Sequence, residues 1–388
     1  MRTPRARVGL LTAVLLLAAC GSDDAASNTT TGTTTSTSAD PAPASSLTPV
    51  SSRPPAAPIS DPEETAPESA PETNPASSAP IVAPGTSDTP ARPPDPLSVD
   101  ELLALGRPIV LAHAGGEDQH PHSTPFAFSE SAAARVDMLD LDVQLSADGV
   151  LVVHHDETVD RTTNASGDVA AMTYAELRDL DNAHWFTARC VCRDQPDEAY
   201  IYRGIRTGER EAPEGYSPED FIIPRFVDIA ARFPHLPLNI EVKGTGAPAI
   251  EAARVLAEEL TELDRLESAV VSSFDDAVVS AFASFAPEVE VSPGLGLSSA
   301  WILDGTPLPE GMRILQLPPE FQGIEVLSDE NVARSHAQGY VIWVWPNDRD
   351  LEDHESYVEL LERGMDGLNI NFPAEGVRAL DDVLGGAG

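Results

Sequence analysis

Nine apolar, strand-like runs punctuate residues 108–371, and one connection between them is far shorter than the rest. The runs are "PIVLAH", "MLDLDV", "LVVHH", "LNIEVK", "AVVSSF", "VEVSPGL", "ILQLP", "YVIWVW" and "DGLNIN". Segments with 3.6-residue apolar spacing separate most of them, such as "APAIEAARVLAEELTEL" and "DHESYVELLERG". Strand and helix in regular alternation predict a parallel sheet. Between "LDLDVQL" and "VLVVHH", however, only "SADG" intervenes. A parallel crossover needs a dozen or more residues, so this connection is expected to be a hairpin. Removing its return strand leaves eight parallel strands, which predicts an α/β chain folded as a (β/α)8 TIM barrel with a hairpin after the second strand. Residues 156–235 are long for one connection and are expected to carry an insertion with little regular structure.

The barrel accounts for residues 97–388 only. The chain opens with "MRTPRARVGLLTAVLLLAAC", in which arginines precede an apolar run too short to span a bilayer. The run ends in Leu17-Ala18-Ala19-Cys20 and resembles a bacterial lipobox, which implies that residues 1–19 are a signal peptide and Cys20 a lipidation site. Residues 20–96 are rich in Ser, Thr, Pro and Ala. They cannot bury enough apolar surface to offset their ordering entropy and read as a disordered tether with a mean span on the order of 50 Å. An extracytoplasmic domain anchored to the membrane through Cys20 alone is the resulting expectation. Export would permit a disulfide between Cys190 and Cys192, although a bridge across one residue is strained, and two thiols are too few for a structural zinc site.

The formal net charge is −39. Such a field disfavours nucleic acid and anionic lipid surfaces as partners and repels anionic substrates, so any phosphate site needs local positive charge. Lys243 is the only lysine. It lies in "LNIEVKG", where period-2 alternation puts Asn239, Glu241 and Lys243 on one strand face. Barrel active sites form at the C-terminal ends of the strands. His113 ends the first strand, Asp140 and Asp142 the second, and Glu241 and Lys243 the next full strand. Three converging carboxylates call for a hard divalent cation, Ca²⁺ or Mg²⁺. The hairpin bears on whether His154 or His155 faces them. With a loop of two or four residues, Asp140 or Asp142 lies across from His155. A loop of three reverses this, and two-residue loops are commonest, so His155 is expected at the site.

Taken together, "HAGG" (113–116), "PHSTPFAF" (121–128), "LDLDVQLSADGVLVVHHDETVDRTT" (139–163), "LNIEVKG" (238–244) and "SSF" (272–274) resemble the glycerophosphodiester phosphodiesterases in order and spacing. The resemblance implies that His113 and His155 are an acid–base pair. It implies that Asp140, Asp142 and Glu241 ligate a divalent metal and that Lys243 contacts the phosphate. A monomeric enzyme acting on a small glycerophosphodiester is the corresponding expectation. His122 is a further candidate for the phosphate site, and Trp343 and Trp345 are candidates to line the pocket and stack on a choline-like head group. Two departures stand out: the pattern's Arg after the first His is Ala114, and the Glu of its Pro-Glu-Asn-Thr is His122. Two rival expectations follow. One is a related barrel phospholipase acting on phosphatidylinositol or sphingomyelin-type lipids. The other is a non-catalytic surface lipoprotein with a degenerate site.

Overall fold

The computed structural model describes residues 95–190 and 192–386. The expected signal peptide, Cys20 and nearly all of the expected tether lie outside the described residues. Eight parallel strands run in the order β6-β5-β4-β2-β1-β11-β10-β7. They are β1 (Ile109–Ala112), β2 (Met138–Leu145), β4 (Leu238–Val242), β5 (Ala269–Ser272), β6 (Glu290–Val291), β7 (Ile314–Leu317), β10 (Val341–Val344) and β11 (Gly367–Ile370). A ninth strand, β3 (Leu151–Val153), pairs antiparallel with β2. A two-stranded ribbon, β8 (Glu320–Phe321) with β9 (Ile324–Glu325), follows β7 and had no counterpart in the sequence reading.

Helices follow the parallel strands in turn: α2 (Pro125–Ala133), α4 (Phe226–Arg232), α5 (Gly246–Glu262), α6 (Asp276–Phe285), α7 (Leu295–Asp304), α8 (Asp329–Ala337), α9 (His354–Glu362) and α10 (Pro373–Gly386). Several start on side-chain caps: Thr124, Asp275, Ser328 and Asp353 each accept from a backbone N–H in the first turn. The eight-stranded barrel expected from the spacing is therefore present, nearly closed. Its terminal strands β6 and β7 meet through side chains: Arg313 Nη2 reaches Glu290 Oε2 at 2.7 Å, and Gln316 Nε2 donates to Ser292 Oγ at 3.0 Å.

Alternation sorts side chains to the two faces of the sheet. Leu139, Leu141, Leu238 and Ile240 pack outward against the helices. Inward residues form layers along the barrel axis. The deepest is apolar: Leu111, Met138, Val270, Ile314 and Trp343 close on Val99 and Leu102 of α1 (Val99–Leu103). Above it lies an amide layer, in which Asn239 donates to Asp140 and exchanges two 2.9 Å hydrogen bonds with Gln316.

Two expectations are corrected here. The β2–β3 hairpin pairs Val143 with Val153 and Leu145 with Leu151, and Ser146 N–H donates to Val150 O, so the loop holds three residues, 147–149. Gly149 takes φ 78°, and Ser146 Oγ accepts from Val150 N–H, which closes a loop one residue longer than the commonest type. His154, not His155, is therefore across from Asp142, and its N–H donates to Asp142 O at 2.9 Å. The second correction concerns Trp343, which is 1% exposed in the apolar layer and lines no pocket at the mouth. Its ring lies where a Cβ on Gly367 would come within 2.5 Å, so the glycine makes room for the indole.

Before α4 the long connection is as irregular as expected: one six-residue helix, α3 (Tyr174–Asp179), and short 3₁₀ turns. Phe126 anchors it, with its ring centroid 4.7 Å from Tyr216 and 4.9 Å from Phe221. Cys190 and Cys192, within it, are joined by a disulfide.

Trp343→Ala leaves a large void at the barrel floor and is expected to cost about 3–5 kcal/mol, read from the urea midpoint. Trp343→Phe should lose far less stability and leave substrate affinity unchanged, because the ring is remote from the mouth.

Candidate active site

The strand ends place the charged residues in one register. Asp142 pairs with Glu241 across β2 and β4, and Asp140 with Asn239 one layer below. Asp140 and Asp142 are 5% and 2% exposed. Lys243 Nζ lies 2.9 Å from Glu241 Oε1 and 3.4 Å from Asp142 Oδ1. Burial works against the Lys243 charge, but Glu241 and Asp142 outweigh it and hold the amine above its usual range. Burial likewise opposes the Asp142 charge, and Lys243, His155 and His113 pull it back below the usual carboxylate range. Asp140 has no such lysine. Burial and the neighbouring Asp142 push it up to about 6 against the opposing pull of His113.

His113 begins the turn after β1. Its Nδ1 donates to Asn371 Oδ1 at 2.7 Å, and Glu117 Oε2 lies 3.8 Å away. Burial disfavours its charge, yet Asp140, Glu117 and Asp142 outweigh burial and raise it to about 9. His155 follows β3 after one further residue, and its Nδ1 donates to Asp156 Oδ1 at 2.7 Å. Arg161 then ties the two histidine neighbourhoods together, meeting Asp156 Oδ2 at 2.6 Å and Glu117 Oε1 at 3.0 Å. Glu117 stays well below the usual carboxylate range because Arg161 and the surrounding histidines overcome its burial. Both rings thus present Nδ1 to a supporting group and keep Nε2 for other partners.

The structure brings His113, His155, Asp140, Asp142, Glu241 and Lys243 into this one charged cluster. His122 is also here rather than facing solvent. It is 2% exposed, stacks on His154 with centroids 6.4 Å apart, and is pushed down to about 3, mainly by burial. His154 turns away, its Nε2 donating to Thr158 O at 3.1 Å. Trp345, two residues beyond Trp343, reaches the rim and meets Phe274 edge-on at 6.2 Å. Ala114 is fully buried at φ 46° and offers no cation. Sequence reasoning missed Glu117, Asp156, Arg161 and Asn371 as partners of the histidines. Asp156 and Arg161 stand in "HHDETVDRTT", so their proximity to His155 in the chain was the available signal.

The carboxylates fit a hard divalent cation in kind. Asp142 Oδ2 is buried without a hydrogen-bond partner, and Asp140 carries charge that its surroundings do not fully compensate. Among the described residues no three His, Cys, Asp or Glu side chains are gathered around one point, since Glu241 is turned to Lys243.

A family profile described as the Glycerophosphoryl diester phosphodiesterase family matches residues 113–375, from His113 to the start of α10. The chain belongs to this family. It is 29% identical over 269 residues to a glycerophosphodiester phosphodiesterase of Caldanaerobacter subterraneus subsp. tengcongensis, covering 68% of this chain and 94% of that one. It is 25% identical over 281 residues to one of Bacillus altitudinis, covering 71% and 98%. The fold matches a glycerophosphoryl diester phosphodiesterase domain from Mycobacterium tuberculosis with a TM-score of 0.54 at 19% identity, covering 70% of this chain and 98% of that one. It also matches an Oleispira antarctica phosphodiesterase, solved in complex with the product sn-glycerol-3-phosphate, with a TM-score of 0.53 at 20% identity and coverage of 72% and 99%.

The raised His113 pKa makes a signed prediction for the chelator-treated protein. Its interactions with Asp140, Glu117 and Asp142 stabilise the fold fully below the unfolded-state histidine value of about 6.5, and this stability is lost as pH rises through about 9. The urea midpoint of the wild type relative to His113→Gln should fall over that window.

Proposed function

We propose that this phosphodiesterase-family chain hydrolyses glycerophosphodiesters to glycerol 3-phosphate and an alcohol. The observation that carries the reading is the placement of two imidazoles, each backed at Nδ1, beside the Asp140–Asp142–Glu241–Lys243 cluster at the mouth of the barrel. Asp140, Asp142 and Glu241 would hold a divalent cation, Ca²⁺ or Mg²⁺, which supplies Lewis acidity to a phosphoryl oxygen when bound. Lys243 Nζ offers the only ammonium in the chain to the same phosphate and balances its developing charge. One imidazole takes the proton of the attacking hydroxyl or water, and the other returns a proton to the leaving alkoxide. Asp156 and Asn371 hold the two rings so that each transfers at Nε2. The strong negative charge of the chain is answered locally, by Lys243 and the cation, at the one place where an anion must bind.

We further propose that residues 1–19 direct export and that a lipid on Cys20 anchors the domain outside the cytoplasmic membrane. The lipobox-like "LAAC" supports that reading. A diacylglyceryl mass increment on Cys20, lost together with membrane retention in Cys20→Ser, is the expected result.

The decisive assay is release of glycerol 3-phosphate from glycerophosphocholine with Ca²⁺, with Mg²⁺ and with chelator. Cation-dependent release is expected, with kcat lowered on the order of 10²–10⁴-fold in His155→Gln. A correctly folded protein that releases nothing under any condition would sink the reading. It would favour the phospholipase or the non-catalytic binder, with Ala114 the first position to revert.

A further inference from the structure

Behind His113 the hydrogen bonds have a fixed polarity. Asp118 is 1% exposed, and Arg349 Nη2 lies 3.2 Å from its Oδ1, opposing the effect of burial on the carboxyl. As a carboxylate its other oxygen, Oδ2, can only accept, and it does so from Asn371 Nδ2 at 3.0 Å. With its NH₂ committed to Asp118, the Asn371 carboxamide turns Oδ1 to His113 Nδ1 at 2.7 Å. A carbonyl oxygen also only accepts, so Nδ1 must carry the hydrogen whether the ring is neutral or charged. The opposite amide orientation would set a carbonyl oxygen against the Asp118 carboxylate and an NH₂ against the His113 ring. The Asn371 backbone is pinned as well: its N–H donates to Glu352 Oε2 at 3.0 Å, and Tyr357 OH donates to the same oxygen.

We propose that Asp118 is a positioning residue that sets the orientation of the Asn371 carboxamide and thereby confines proton exchange on His113 to Nε2. The catalytic consequence rests on the reading of His113 as an acid–base group, while the tautomer itself does not. Asp118 sits in "GGED" and Asn371 in "NINFP", 253 residues apart, and neither was a candidate in the sequence reading.

The test uses the full-length protein labelled with ¹⁵N-histidine and treated with chelator. It is titrated upward past the value of about 9 to which His113 is raised, until the ¹⁵N shifts of His113 stop changing and the ring is neutral. Long-range ¹H–¹⁵N spectra distinguish Nδ1–H from Nε2–H, and His113→Gln assigns the signal. The wild type should show Nδ1–H, the opposite of the Nε2–H form that free neutral histidine prefers in water. Asp118→Asn removes the acceptor-only partner and should yield a tautomer mixture. Asp118→Asn combined with Asn371→Asp should restore Nδ1–H, because a carboxylate at position 371 accepts from both sides. If the function proposed above holds, kcat on glycerophosphocholine should fall at least about tenfold in Asp118→Asn, with KM unchanged, and recover in the double variant.

Nε2–H in the wild type overturns the proposal even if Asp118→Asn does not fold. So does an unaltered tautomer in a folded Asp118→Asn protein, or failure of the double variant to restore it. Nδ1–H with the expected variant pattern, but no hydrolysis by any form, would uphold the positioning role and remove the function assigned to the site.

Discussion

Two carboxylates, Asp140 and Asp142, are buried on the same strand face, with Glu241 in register beside them, and the interior is organised around the cost of that charge. Buried carboxylates need partners, and each finds a different one. Lys243 reaches Asp142 and Glu241, Asn239 donates to Asp140, and His113 is drawn to a charged state above neutral pH by all the negative charge around it. A cation at Asp142 Oδ2 would complete the compensation, since that buried oxygen has no donor.

The layered barrel interior makes this arrangement tolerable. Apolar side chains and α1 seal the floor. The Asn239–Gln316–Ser292 amide layer then separates the floor from the charges and ties β4 to the barrel's closing strands. The charged layer lies at the C-terminal strand ends, where loops can supply second partners. Glu117, Asp118, Asp156 and Arg161 all come from such loops. Arg161 bridges Glu117 and Asp156, so the two histidine neighbourhoods are coupled through one guanidinium. Ala114 removes a cation that the family resemblance leads one to expect next to His113. Lys243 is left as the only ammonium of the cluster.

How far the site could be read from sequence depended on whether its residues obey a local period. Asp140-x-Asp142 and Glu241-x-Lys243 were legible because alternation on a strand puts such pairs on one face, and a closed barrel turns that face inward. The choice of His155 over His154 rested on a hairpin loop length that proved wrong. His155 still reaches the cluster because β3 ends at Val153 and the chain turns, not because of pairing. Trp343 and Trp345 share a face, so alternation could not separate them. Depth along the barrel axis did: Trp343 packs with Leu111, Met138 and Ile314 in the floor, while Trp345 reaches the rim.

By itself the sequence determined the number and direction of the barrel strands, the hairpin after the second, and the strand-end carboxylates, histidine and lysine. Each follows from spacing along the chain and from the two-residue period of a strand. Only the tertiary structure decided which groups stand behind the histidines. Asn371, Asp118, Arg349 and Glu352 converge on His113 from the turn after β1 and the ends of β10 and β11, and no local period links them. Closure of the barrel brings β11 alongside β1, setting Asn371 beside His113, and only there does the direction of a carboxamide bear on where a proton can move.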